Sequence, residues 1–258
     1  MIAKNIEKII TSVIKVEKAE LHVPFFDSEE MNEVAACIKS SFVSSASGLI
    51  ETFENMLCEF TGSKYAVALV NGTSALHLAL DSLGVTQGDE VLVPSMTFSA
   101  SANAICHAGA TPHFVESNYQ DLGIDVNLLE DYLNQVARVE QDTCWNIKTG
   151  NKISAIMPVH IFGHIGEIER LCELASRFKI KVVEDAAEAL GSFREGKHAG
   201  TFGKCGVVSF NGNKIITTGG GGAVLTNDKK IAEYINHLAK TAKVYHPYRY
   251  WHDMVGYN

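Results

Sequence analysis

The sequence predicts an α/β fold, a three-layer arrangement in which a mostly parallel β-sheet lies between helices. Short apolar runs rich in Val, Ile and Ala alternate with amphipathic helical patterns from about residue 64 onward. This alternation is typical of βαβ units, whose strands pair in parallel. The chain has 258 residues, of which 46% are hydrophobic and 20% charged. That length and composition suffice for one large folded domain and argue against disorder.

Short apolar runs typical of buried strands, and apolar residues that recur at helical spacing, locate the individual strands and helices. The seven expected strands lie at residues 65–70, 90–93, 112–115, 153–158, 180–183, 206–210 and 222–226. Between them, apolar side chains recur on one helical face at residues 73–83, 126–139 and 165–178. Three further helices are expected after capping residues: 29–39 after Asp27 or Ser28, 48–60 after Ser47, and 229–239 after Asp228.

The charge balance excludes several classes of partner. Lys and Arg number 22 against 30 Asp and Glu, which gives a formal net charge of −8. An acidic chain repels nucleic acid and anionic membrane surfaces, so we expect it to bind neither. No apolar run approaches the length of a bilayer span, and residues 1–20 mix Lys and Glu with apolar residues, unlike a secretory signal. We therefore expect a cytoplasmic protein.

A metal site is not expected either. The six cysteines are scattered along the chain without a CxxC pair. His160 and His164 are four residues apart, but no Glu follows His160, so the pattern is not that of a zinc-binding helix.

The first motif with chemical content is Asn71-Gly72-Thr73-Ser74-Ala75, between an expected strand and an expected helix. Gly72 allows a tight turn, and the N–H groups of Thr73, Ser74 and Ala75 would be unpaired at the helix start. Such groups, with two hydroxyls beside them, can hold a phosphate. Taken alone, the motif is more typical of a helix N-cap without a ligand.

The second motif is a pair of adjacent carboxylates, Glu184 and Asp185, at the end of a buried strand. Ligands in open α/β sheets lie at the carboxyl ends of strands, so one acid is expected to face the crevice and the other to face away. A buried carboxylate needs a cationic or hydrogen-bonding partner. Capping of a helix by Asp185 explains the motif equally well.

The third motif surrounds Lys214. Residues 209–222 read SFNGNKIITTGGGG, and no other charged residue lies between Lys204 and Asp228. A lysine in such a segment is expected to be desolvated, with a lowered pKa that suits a Schiff base. The glycines could also form a flexible loop or a phosphate cradle. They do not form a P-loop, because the lysine precedes them, and no GxGxxG follows the first strands.

Together the motifs resemble the cofactor site of pyridoxal-phosphate enzymes with the aspartate-aminotransferase fold. More narrowly, the chain resembles the DegT/DnrJ/EryC1/StrS family of sugar-nucleotide aminotransferases from about residue 40 to residue 258. The matching segments are VNGTSALHLAL, GDEVLVPSMTFSASANAI, PVHIFGH, VVEDAAEALGS, GTFGKCGVVSFNGNKIITTGGGGAVLTND and GYN. The resemblance implies the large domain of fold type I and pyridoxal 5'-phosphate as the cofactor. SFNGNKIITTGGGG, with AEALGS before it, is most similar to members that aminate a UDP- or GDP-linked 4-keto-6-deoxy sugar in legionaminic acid, bacillosamine or perosamine pathways.

The resemblance also implies a role for each site residue. Lys214 matches the lysine that binds the cofactor as a Schiff base and then shuttles a proton, and Asp185 matches the carboxylate beside the pyridine nitrogen. Phe98 matches an aromatic ring that stacks on the cofactor. Glu188, at a position that is often Gln in the family, would lie near the ring hydroxyl. The implied contacts with the cofactor phosphate are Gly72, Thr73, Ser74 and Ser209, with Asn258 reaching the cofactor of the neighbouring subunit.

Two departures from the family pattern concern the substrate rather than the cofactor. HVPFFDSEEM follows only loosely the family's opening, which helps form the substrate pocket, and Ser41-Phe42-Val43-Ser44 stands where a Trp usually precedes Val-Ser.

We predict an N-terminal helical segment at 1–40, a cofactor-binding large domain at 41–240, and at 241–258 the start of a connection to a C-terminal small domain that is absent from this sequence. The chain by itself is therefore expected to turn over little.

The resemblance thus implies a pyridoxal-phosphate-dependent aminotransferase, which we expect to act as a homodimer in cell-surface glycan biosynthesis. It would transfer an amino group from glutamate to C4 of a nucleotide-linked keto sugar. The alternatives are a transaminase of another keto substrate, a non-catalytic regulator or binding protein with this fold, and a dinucleotide-binding oxidoreductase. The presence of both Lys214 and Asp185 argues against the regulator, and the missing glycine fingerprint argues against the oxidoreductase.

Overall fold

Strands and helices alternate along the chain around one seven-stranded sheet. The computed structural model describes residues 2–14, 22–44 and 47–257. The helices are α1 (Ile2–Ile14), α2 (Ser28–Ser40), α3 (Gly48–Thr61), α4 (Gly72–Ser82), α5 (Ser99–His107), α6 (Val126–Val136), α7 (Ile168–Arg177) and α8 (Lys229–Ala239), with a short 3-10 helix at Ile161–Gly163. The strands are β1 (Tyr65–Leu69), β2 (Glu90–Pro94), β3 (Thr111–Val115), β4 (Ala137–Glu140), β5 (Thr143–Asn146), β6 (Ile153–Ile156), β7 (Lys181–Asp185), β8 (Phe193–Arg194), β9 (Lys197–His198), β10 (Cys205–Ser209), β11 (Gly222–Thr226), β12 (Lys243–Val244) and β13 (Trp251–His252).

The order of the strands in the main sheet is β1-β11-β10-β7-β6-β2-β3. Strand β11 is antiparallel to both of its neighbours, whereas the pairs from β10 to β3 are parallel. The expected α/β fold with a mostly parallel sheet is confirmed. All strands of this sheet except β11 run in one direction, so their carboxyl ends meet at one edge, where open α/β sheets bind ligands.

Helices cover both faces of the sheet, because consecutive side chains of each buried strand point to opposite faces. On one face Val91, Val183 and Val207 belong to a core that includes residues of α4, α5 and α8. On the other face Val182 packs in a core with α6 and α7, and Val208 packs in a core with α3. This three-layer arrangement explains why the strands have near-continuous apolar sequences.

The boundaries of the elements differ from the sequence prediction for local reasons. The helix expected at 126–139 ends at Val136, because β4 and β5 form a hairpin whose turn places Gln141 and Asp142 at φ of 48° and 60°. The helix expected at 165–178 begins at Ile168, after the 3-10 helix. Helix α5 was not predicted, because its sequence, SASANAICH, has too few large apolar side chains to form a stripe.

The expected capping residues occupy the expected helix ends. Asp27 caps α2 in a capping box with Glu30, Ser47 caps α3, and Asp228 caps α8. Helices α1 and α2 have no buried side chain. In the described part of the chain, no helix combines the length and the apolar composition that crossing a bilayer requires.

The carboxylate of Glu184 connects three segments of the fold on the α6–α7 side of β7. The side chain is fully buried and accepts hydrogen bonds of 2.6 to 2.8 Å from the N–H groups of Gly200, Phe202 and Gly203. Its other partner is Nε2 of His160, at 2.9 Å. Hydrogen bonds to a charged acceptor are stronger than neutral ones, so this group fixes β7, the turn at 200–203 and the segment after β6 relative to one another.

We expect Glu184→Ala to lower the free energy of unfolding by about 3 to 5 kcal/mol, the usual cost of removing one partner from a buried charged group. The substitution leaves three backbone N–H groups and His160 without their acceptor. Urea denaturation followed by circular dichroism measures the loss. The matched control is Glu173→Ala on the exposed side of α7, which should change the value by less than about 0.5 kcal/mol. Equal losses in the two variants would contradict the role of Glu184.

Candidate active site

A cavity of about 270 Å³ lies at the carboxyl edge of the sheet. Its walls are formed by the segments that follow β1, β2, β6, β7 and β10, which the common strand direction brings together. The lining consists of Asn71, Gly72, Thr73, Leu76, Phe98, Ala100, Val159, His160, Ile161, Asp185, Ala187, Glu188, Ser209, Asn211, Asn213 and Lys214.

The structure brings most of the sequence-predicted site residues together in this cavity. The lining includes Gly72, Thr73, Phe98, Asp185, Glu188, Ser209 and Lys214. Ser74 is not in the lining, and its N–H donates to Oδ1 of Asn71 at 2.7 Å, within the cap of α4. Asn258 lies outside the described residues.

The start of α4 presents hydrogen-bond donors to the cavity. Asn71 caps the helix and accepts the N–H groups of Ser74 and Ala75, so those two groups are not free as the sequence suggested. The N–H groups of Gly72 and Thr73 have no partner within the ranges that the structure describes. A Cβ at Gly72 would lie 3.1 Å from Cβ of Ser209, so glycine keeps open the space between the helix start and the serine hydroxyl. Two free backbone donors and a hydroxyl form a binding set for an anion.

Of the two adjacent acids, Glu184 and Asp185, it is Asp185 that faces the cavity. Its Oδ2 accepts a hydrogen bond from the hydroxyl of Ser101 at 2.6 Å, and its Oδ1 accepts one from the N–H of Ala187 at 3.1 Å. The residue caps a turn, and no helix follows it directly. Burial raises the pKa of this carboxyl, although the two hydrogen bonds and the charge of Lys214 oppose the rise. A cation bound beside Asp185 would therefore favour its ionised form.

A tight turn holds Lys214 at the cavity. The N–H of Lys214 donates to the carbonyl of Asn211 at 3.0 Å. The carbonyl of the buried residue Phe210 accepts the hydroxyl of Thr217 at 2.9 Å and the N–H of Thr218 at 3.1 Å. These bonds fold the segment after β10 back on itself, so the lysine lies beside the carboxyl end of the strand.

The amine of Lys214 has a carboxylate partner in space, although the lysine has no charged neighbour in sequence. Its side chain is 12% exposed, and Nζ lies 3.2 Å from Oε1 of Glu188. The same Nζ lies 5.9 Å from the centre of the ring of Phe98, whose face is open to solvent. Lysine, carboxylate and aromatic ring thus surround one side of the cavity.

Sequence reasoning missed two residues beside Asp185. His160 was considered only as a metal ligand, yet its N–H donates to the carbonyl of Asp185 at 3.0 Å and its side chain contacts Glu184. Its position two residues after the run at 153–158 was the signal that could have placed it at this edge. Ser101 gave no signal, because it belongs to the unpredicted helix α5.

These groups fit pyridoxal phosphate, the cofactor that the resemblance implies. The donors at the start of α4 and the hydroxyl of Ser209 suit its phosphate. The carboxylate of Asp185 suits a protonated pyridine nitrogen, and the amine of Lys214 suits an aldehyde. The ring of Phe98 offers an apolar face to an aromatic ring.

Comparison with known proteins finds the family that the motifs resemble. A model of the DegT/DnrJ/EryC1/StrS aminotransferase family matches residues 24–258. The chain is 42% identical over 238 residues to GDP-perosamine synthase of Escherichia coli O157:H7, and 39% identical over 235 residues to that of Caulobacter vibrioides. These matches cover 92% and 91% of this chain but 61% and 59% of the two relatives. The chain therefore spans about three-fifths of the length of the relatives it matches.

The fold is also that of solved aminotransferases. An aminotransferase from Psychrobacter cryohalolentis superposes with a TM-score of 0.80 and 31% sequence identity, over 92% of this chain and 58% of the other. The enzymes of the matching family use pyridoxal phosphate. From the family match, these relatives and the shared fold, we conclude that the chain belongs to the DegT/DnrJ/EryC1/StrS aminotransferase family.

Proposed function

We propose that this chain forms the cofactor-binding part of an aminotransferase that acts on a nucleotide-linked sugar. The amino group would come from glutamate and pass to C4 of a GDP- or UDP-linked 4-keto-6-deoxy sugar, for cell-surface glycan biosynthesis. The observation that carries the proposal is the shared lining of one cavity by Lys214, Asp185 and the donors at the start of α4. Each of these groups matches a different part of one phosphorylated pyridine aldehyde.

The protein's own groups have separate tasks in this proposal. Pyridoxal phosphate, when bound, supplies an electron sink for the carbon that carries the transferred amine. Gly72, Thr73 and Ser209 hold the phosphate, and the charge of Asp185 keeps the pyridine nitrogen protonated. The amine of Lys214, once free, accepts and returns a proton at the reacting carbon. Its low exposure keeps water away from that proton.

Two observations support the substrate class. The similarity to GDP-perosamine synthases favours a GDP-linked sugar over a UDP-linked one. The charge of the chain is acidic overall, so an anionic small molecule needs a local donor set rather than a basic face. A nucleotide sugar meets that requirement better than an anionic polymer does.

We also propose that the protein acts as a homodimer. Met31, Val34 and Ile38 lie at helical spacing along α2, and their side chains are 60 to 64% exposed. No side chain of α2 is buried within the described part of the chain. Monomers rarely leave an apolar stripe of this kind in water, and a second copy of the chain would cover it.

Covalent trapping tests the assignment of the lysine. Incubation with pyridoxal phosphate, borohydride reduction and peptide mass spectrometry should place the cofactor on Lys214. Lys214→Ala should abolish the adduct, whereas Lys204→Ala should retain it, because Lys204 is an exposed lysine outside the cavity lining. An adduct found mainly on another lysine would reject the assignment.

Asp185→Asn should separate stability from activity. Burial raises the folded-state pKa of Asp185, so the stability that this residue contributes is present below its ordinary pKa of 3.8 and is lost as the pH rises through the folded-state value. The one acceptor oxygen of asparagine can take the N–H of Ala187, and its uncharged amide can donate to the hydroxyl oxygen of Ser101, so both contacts remain, with the Ser101 bond reversed. The cofactor-free variant should therefore be at least as stable as the parent in urea at pH 7, while its transamination rate falls at least about 100-fold. A destabilised variant with normal turnover would contradict both expectations.

The substrate class is tested directly by amination. A form of the protein that spans the full length of its relatives, incubated with pyridoxal phosphate and glutamate, should release 2-oxoglutarate continuously when a GDP-linked 4-keto-6-deoxyhexose is added. GDP-mannose is the matched control, because it carries the same nucleotide but no ketone. With it, release should stop at one equivalent of 2-oxoglutarate per bound cofactor, which glutamate alone can produce. Activity confined to free keto acids would reject the sugar substrate and favour general amino-acid metabolism.

A further inference from the structure

A second and larger cavity adjoins the first. Its volume is about 740 Å³, and it shares Glu188, Asn213 and Lys214 with the lining of the candidate active site. Much of the remaining lining is apolar and aromatic: Val23, Pro24, Phe25, Phe26, Phe162, Ile215 and Ile216. A ligand in this cavity would therefore lie directly beside the amine of Lys214.

Phe162, which lines this cavity, has an unusual backbone conformation. Its φ and ψ are 51° and 24°, in the left-handed region that phenylalanine rarely adopts, and its side chain is 72% exposed. The neighbouring Gly163 has a φ of +83°, and a Cβ there would lie 3.1 Å from the carbonyl oxygen of Glu188. The 161–163 turn is thus packed against the segment that follows β7. Conformations of this kind persist only where surrounding contacts hold them.

One carboxylate provides such a contact and reaches both cavities. Oε2 of Glu188 accepts the N–H of Phe162 at 3.1 Å, while Oε1 lies 3.2 Å from Nζ of Lys214. The two oxygens therefore connect the lysine of the first cavity with the aromatic residue of the second. The resemblance implied only that Glu188 would lie near the ring hydroxyl of the cofactor, and it predicted neither of these two contacts.

We propose that Glu188 is a positioning residue, which holds Phe162 so that its ring forms part of the binding surface for a nucleotide-linked sugar. The inference rests on the proposed function, because it assigns the larger cavity to the sugar nucleotide. Glu188 acts on the ligand through the backbone N–H of Phe162. An aromatic face favours stacking with a base or with the apolar face of a sugar, and a ring carried on a fixed backbone loses less freedom on binding than one on a mobile backbone.

The experiment separates the hydrogen bond from the charge. Glu188→Ala and Glu188→Gln both remove the negative charge beside Lys214, but only Gln keeps an oxygen that can accept the N–H of Phe162. GDP-mannose, a nucleotide sugar without a ketone, is the probe, and calorimetry measures its dissociation constant. We expect Glu188→Ala to bind about fivefold more weakly than Glu188→Gln, which is about 1 kcal/mol. In a Phe162→Ala background the two variants should bind equally.

Phe25→Ala is the matched control for loss of an aromatic side chain. Phe25 lines the same cavity, and no hydrogen bond joins it to Glu188 among the described residues. The fivefold difference between the Ala and Gln variants at position 188 should persist in this background. Hydrogen exchange gives a readout that needs no ligand: the amide of Phe162 should exchange at least tenfold faster in Glu188→Ala than in Glu188→Gln.

Two results would overturn the inference. One is a ratio of dissociation constants between Glu188→Ala and Glu188→Gln that is unchanged by Phe162→Ala. The other is a parent protein that does not bind GDP-mannose. Neither result affects the trapping of the cofactor on Lys214, which tests the proposed chemistry independently.

Discussion

The alternation of side chains along β7 is the constraint on which both the framework and the site depend. Consecutive residues of a strand point to opposite faces, so Glu184 and Asp185 cannot serve the same side of the sheet. Glu184 holds the turn at 200–203 and His160, while Asp185 faces the cavity. A shift of one residue in the register of β7 would exchange the faces to which the two carboxylates point. The pairing of β7 with β6 and β10 therefore determines which carboxylate faces the cavity, as well as which apolar side chains enter each core.

Backbone hydrogen bonds continue past the ends of β6 and β7 and hold the residues of the site in the same register. The N–H of Asp185 donates to the carbonyl of Pro158, and the N–H of His160 donates back to the carbonyl of Asp185. The side chain of the same histidine forms a hydrogen bond with Glu184, whose carboxylate lies on the opposite face of the sheet. Burial of Asp185 is unfavourable for its charge, and Ser101 offsets only part of that cost, since the pKa of the carboxyl is still raised. The framework thus keeps a carboxylate where a bound cation would stabilise it.

The sequence was most informative where one local pattern decides the structure. Apolar runs located all seven strands of the main sheet, and a strand end followed by two acids indicated the site edge, because ligands lie at that edge in parallel sheets. It was least informative where distant segments meet. Helix α5 has small side chains and therefore no apolar stripe, so neither the helix nor the bond from Ser101 to Asp185 was predictable. The partner of Lys214 was hidden for the same reason, since Glu188 lies 26 residues away along the chain.

The identity of residue 188 matters because of what its two oxygens can accept. A carboxylate has two acceptor atoms, so Glu188 can take the N–H of Phe162 on one and face the amine of Lys214 with the other. A glutamine, which is common at this position in the family that the sequence resembles, has one acceptor oxygen and an amide that only donates. It could hold the Phe162 turn, but it would then present donors to an ammonium group. Glutamate at this position therefore allows one side chain to bind the 161–163 turn and the lysine at once, and the shapes of the two adjoining cavities become dependent on each other.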